Sequence, residues 1–129
     1  MLFNRVVSIA IVTLSTLLSA CGGDGETSEP QLKLTGPNQV KVFKSDNSIQ
    51  CESEGIPLDE MRLELAKAGI DVICAQKTHD GMGYPSVCGG GTGNINVYVI
   101  QNSNLPDAEK LGYKSVIELP GYKDQVCSN

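Results

Sequence analysis

The chain has 129 residues, with 10 Lys and Arg against 15 Asp and Glu and a formal net charge of −5. The acid excess speaks against nucleic acid or anionic lipid headgroups as partners, because both call for basic patches. The length suits one small domain and not two.

The first 20 residues have the parts of a secretory signal. Arg5 is their only charge, Val6 to Leu18 is mostly apolar but broken by Ser8, Thr13, Ser15 and Thr16, and Ser19-Ala20 ends the run with small residues. A spanning helix needs about 20 apolar residues, so this stretch reads as a signal and not as a membrane span. Its last residues, Leu18-Ser19-Ala20-Cys21, resemble the bacterial lipoprotein signal, the lipobox, at all four positions. The resemblance covers about the first 22 residues. It implies lipid on Cys21, cleavage just before that cysteine, acylation of the new N-terminus and anchorage in the bacterial envelope. Gly22 follows the cysteine where the sorting pattern for inner-membrane retention has an aspartate. That implies the outer membrane, with the domain facing the periplasm. Three acyl chains, each CH₂ contributing about 0.8 kcal/mol, hold a protein stably where one chain does not.

Cleavage leaves 109 of the 129 residues, and Arg5 is the only charge lost, so nine basic residues face 15 acidic ones. Residues 21–37 read as the lipidated cysteine and a linker, with the small polar run 22–30 as a flexible tether. Residues 38–129 read as a single α+β domain.

Val40, Val42 and Lys44 alternate with Gln39, Lys41 and Phe43, which predicts a half-buried strand. Ser45-Asp46-Asn47 is a turn, or a bulge that lets the strand resume through Cys51. Pro57 opens a helix whose Leu58, Met61, Leu65 and Ala68 share one face, and Gly69 stops it. Ile70 to Gln76 alternates as a strand, Lys77 to Thr92 is a long glycine-rich loop, and Asn94 to Ile100 is the next strand. A short helix from Leu105 to Leu111, capped by Asn104 or Ser103, precedes a last strand from Ser115 to Leu119. The helix-stop segments Ala-Gly-Ile and Leu-Gly-Tyr echo one another. The order βαββαβ matches a ferredoxin-like plait with both helices on one face of the sheet.

Setting Cys21 aside, Cys51, Cys74, Cys88 and Cys127 form an even set in an oxidising compartment and predict two disulfides. Three pairings are possible. The plait favours Cys74–Cys88 across the base of the long loop and Cys51–Cys127 pinning the tail. The spacing of structural zinc ligands is absent. The acidic set Glu52, Glu54, Asp59 and Glu60 lacks calcium-loop spacing. No metal or cofactor is expected.

The loop from Lys77 to Val87 is the most distinctive surface. His79, Asp80, Met82, Tyr84 and Pro85 lie in it. A histidine beside an aspartate suits a general base, but no serine occupies a nucleophile-elbow pattern, and Asp80-Gly81 is equally a turn pair. The glycines of Cys88-Gly-Gly-Gly-Thr-Gly93 run into a strand and not a helix, so close backbone approach explains them better than a phosphate cradle. The expected function is a non-catalytic envelope lipoprotein acting through contacts with an envelope protein. The alternatives are a protease inhibitor presenting the loop, and a small periplasmic enzyme using His79 and Asp80.

Overall fold

A computed structural model describes residues 35–125 and Cys127. The signal, Cys21 and the tether lie outside the described residues. The elements run β1 (Gln39–Ser45), α1 (Leu58–Lys67), β2 (Cys74–His79), β3 (Asn94–Gln101), a 3₁₀ turn (Asn102–Asn104), α2 (Leu105–Lys110), β4 (Lys114–Ser115) and a second 3₁₀ turn (Val116–Glu118). This is an α+β arrangement. The strands form one antiparallel sheet in the order β2-β3-β1-β4.

The alternation of each strand fixes which side chains meet. Val42 lies opposite Tyr98, and Tyr98 opposite Ala75. These three share a core cluster with Ile100, with Met61 and Leu65 of α1 and with Ala108 of α2, so both helices cover the same sheet face. Two tyrosines bring polar atoms into that core and both are satisfied. The Tyr98 hydroxyl donates to the Leu58 carbonyl at 2.6 Å, and the Tyr113 hydroxyl to Glu64 Oε2 at 2.7 Å. Burial pushes both phenols well above their ordinary range. Burial also works against the Glu64 carboxylate, but Tyr113 and Lys44 outweigh it and hold that acid below its usual value.

The two helices stop in the same way. Gly69 and Gly112 adopt φ of 78° and 88°. Gly69 N–H donates to Ala66 and Ile70 N–H to Leu65; Gly112 N–H donates to Glu109 and Tyr113 N–H to Ala108. This is the paired Schellman pattern, in which the residue after the glycine packs back onto the helix. Ile70 and Tyr113 are accordingly buried. The echo in the sequence is thus a repeated helix stop.

Several expected boundaries move. Ile70 belongs to the stop of α1, so β2 begins at Cys74 and runs on through Lys77, Thr78 and His79, which pair with Asn96, Ile95 and Asn94. The long loop is therefore residues 80–93. Ala68 is exposed and not part of the apolar face of α1. The last strand is only two residues long, because the Ser115 side chain accepts the Ile117 N–H and the chain turns into 3₁₀ geometry. Asn104 itself has helical geometry and makes no side-chain cap.

The disulfides are Cys51–Cys88 and Cys74–Cys127. The expected cysteines are all bonded, but the expected pairing of Cys74 with Cys88 and Cys51 with Cys127 is not the one formed. Cys74 points to the sheet face opposite the helices. Residues 119–125 and Cys127 cross that face as a strap. There Cys74, Val99 and Cys127 cluster, Gln76 donates to the Tyr122 hydroxyl at 3.2 Å, and the buried Lys41 ammonium pairs with Asp124 and donates to the Gln125 carbonyl at 2.9 Å. Burial pushes the Tyr122 phenol up to about 12. Cys88 is left for Cys51. No helix among the described residues is long and apolar enough to cross a membrane.

Candidate contact surface of two joined loops

Two loops, residues 46–56 and 80–93, lie side by side beyond the ends of β1, β2 and β3. Cys51–Cys88 crosslinks them with a Cα separation of 5.1 Å. Gln50 does the rest. Its N–H donates to the Gly90 carbonyl, its carbonyl accepts from Gly89 N–H, and its side-chain amide donates to the Pro85 and Gly91 carbonyls, all at 2.9 Å. Ile49 bridges Gly91. The expected resumption of a strand through Cys51 is instead a tight loop, in which Ile49 and Ser53 pair with each other.

Asp46 supports the first loop from below. Its side chain is buried, with Oδ1 accepting the Ser48 N–H at 2.9 Å and Oδ2 lying 2.7 Å from Lys77 Nζ. Burial alone would raise its pKa, but Lys77 and Ser48 outweigh burial and hold the carboxyl below its ordinary value. Lys77 Nζ also donates to the Glu54 carbonyl, tying β2 to the same loop.

The second loop is stapled by the residues singled out from the sequence. Gly81 N–H donates to His79 Nδ1 at 3.0 Å, so the ring carries its proton on Nε2, which reaches the Thr92 carbonyl at 2.9 Å. Asp80 Oδ1 accepts the Met82 N–H at 2.8 Å and Oδ2 accepts the Tyr84 hydroxyl at 2.6 Å. That bond, with lesser help from burial, raises the Tyr84 phenol. The His79 and Tyr84 rings meet edge to face at 5.8 Å. Gly93, at φ 75°, leaves room for both rings, since a Cβ there would lie 2.6 Å from His79 Nε2.

His79, Asp80 and Tyr84 thus come together, and Met82 and Pro85 are fixed through their backbones. Both nitrogens of His79 and both oxygens of Asp80 are engaged inside the loop. Among the described residues, no three His, Cys, Asp or Glu side chains gather as metal ligands. Ile49, Met82, Tyr84 and Val87 remain outward, between 37% and 55% exposed. The sequence reading did not single out Gln50, Ser48 or Thr92. Gln50 becomes visible only once its neighbour Cys51 is known to bond Cys88. The comparisons with known proteins found no matching family model, no matching curated protein and no matching solved structure.

Proposed function

We propose that this chain is a lipid-anchored protein of the bacterial envelope that acts without catalysis, through contacts made by its two joined loops. Cys21 bears the lipid, residues 22–30 form the tether, and the domain faces the periplasm from the outer membrane. The partner is an envelope protein, not nucleic acid, and no cofactor takes part. The scaffold is a ferredoxin-like plait. Its support is the strand order, in which β3 lies between the two strands that α1 connects.

One observation carries the contact role. Four apolar side chains, Ile49, Met82, Tyr84 and Val87, stay outward on a layer held in shape by a disulfide and by Gln50. A surface fixed before binding has less ordering entropy to lose when the partner arrives. An imidazole with both nitrogens committed favours a structural His79 over a basic one.

A second reading is favoured by one feature. Every residue from 82 to 87 is exposed, beside Cys88 and with the Pro85 carbonyl anchored, which suits a segment that enters a protease cleft. Purification of the chain from membranes tests both. Tri-acylated Cys21, two reducible bonds and an envelope protein lost on Met82→Ser with Val87→Ser support the contact role. A tightly bound protease and slow cleavage between 82 and 87 support inhibition. An unlipidated chain defeats the membrane anchor, and four free thiols defeat the crosslinked loops on which both readings rest.

A further inference from the structure

Beside the joined loops a pocket of about 380 Å³ opens between the end of β1 and residues 91–94. Its volume is at the lower end of the ~300–1,000 Å³ of small-molecule sites. Phe43 and Ile95 give it an apolar floor, and Tyr84 one wall. The tyrosine is fixed on several sides. Its hydroxyl is on Asp80, its ring meets His79 edge to face, and its ring carbons pack over Gly91 and Gly93. It is nonetheless 41% exposed, so a rigid aromatic surface is left uncovered.

The opposite wall is polar and neutral. Ser48 Oγ and Thr92 Oγ1 share one hydrogen bond, and either can be the donor. Asn94 donates its backbone N–H to Thr92 Oγ1 and its side-chain amide to Ser48 Oγ. Two hydroxyl hydrogens are present and only one lies between the pair, so one donor is left over whichever way the pair is oriented. Asn94 Oδ1 has no hydrogen-bond partner among the described residues. A donor and an acceptor therefore stand side by side. Among the lining residues only Asp80 carries a charge at neutral pH, and both its oxygens are engaged.

We propose that this pocket binds a neutral sugar ring. A ligand hydroxyl donates and accepts at once, which matches the Asn94 oxygen and the spare hydroxyl hydrogen. The C–H face of a pyranose covers the uncovered Tyr84 ring, and the absence of an unengaged charge selects an uncharged ligand. The site shares Ile49 and Tyr84 with the proposed contact surface, but its polar wall of Ser48, Thr92 and Asn94 lies outside the four apolar side chains that carry the contact role.

The test is a titration of the full chain, purified in detergent and labelled for amide and aromatic NMR, with N-acetylglucosamine and with glucose. At least one sugar should give saturable shifts at Ser48, Thr92, Asn94 and the Tyr84 ring, with affinity on the order of millimolar. Thr92→Val should weaken binding about fivefold and Tyr84→Ala about tenfold. The Thr92 variant keeps the Tyr84–Asp80 staple, and unchanged spectra in α1 and an unchanged non-reduced mass report that the fold survives. Absence of saturable shifts with both sugars would overturn the site. So would equal binding by a folded Thr92→Val variant, or the same shifts appearing only with a co-purified protein.

Discussion

On the helix-covered face of the sheet, Val42, Leu65, Tyr98, Ile100 and Tyr113 are sealed against one another, whereas every residue from 81 to 89 is exposed. The first region is held by apolar burial. The second is held by a disulfide, by Gln50 and by the staple of His79, Asp80 and Tyr84. A loop that relied on burial would have to turn its apolar side chains inward. Held by covalent and polar ties instead, it can display Met82, Tyr84 and Val87 and still keep one shape.

Each region should fail in its own way. Leu65→Ala should cost about 3–5 kcal/mol in urea unfolding, because it opens a cavity in the packed core. Replacing both Cys51 and Cys88 with Ser should cost about 4 kcal/mol by the loop-closure relation, for a sequence separation of 37. Hydrogen exchange in α1 should then quicken only by the global loss of stability, while residues 49–53 and 80–93 quicken further through local opening. Equal acceleration in α1 would break the division between the two regions.

Smaller effects sharpen it. Asp46 has a lower pKa in the folded chain than in the unfolded one, so its contribution is fully present above pH about 4. It is lost as pH falls through the lower folded value, and Glu64 behaves alike. Asp46→Asn should cost about 1–2 kcal/mol at neutral pH and flatten the acid limb of a stability–pH curve. His79→Ala should cost no more than about 1 kcal/mol, with exchange faster near Gly81 and Thr92 only.

The legible part of the fold is the part set by local pattern. The alternation from Val40 to Lys44 and from Asn94 to Ile100 gave two strands, and Pro57, Leu58, Met61, Leu65 and Gly69 gave α1 with its ends. What escaped was set by tertiary pairing. Ile70 to Ile73 looks like the start of a strand because it continues the alternation up to Gln76, yet Ile70 is buried as the close of a Schellman stop. Lys77, Thr78 and His79 look like loop, yet register with β3 makes them strand. The disulfide pairing depends on which sheet face the tail crosses. Nothing local to Cys127 reveals that the strap lies over Cys74 and Lys41. The residues of the second loop were visible as a group, while their support from Gln50 and Asp46 came from the other loop.

The most direct test of the joined loops as a contact surface is photo-crosslinking in the native envelope. A photoreactive residue is placed in turn at positions 82, 87 and 63. Leu63 is the comparison, an exposed apolar side chain on α1 and outside both loops. The expected result is an adduct with one envelope protein from positions 82 and 87 and none from 63. An adduct from position 63 with none from 82 or 87 would contradict the role assigned to the loops.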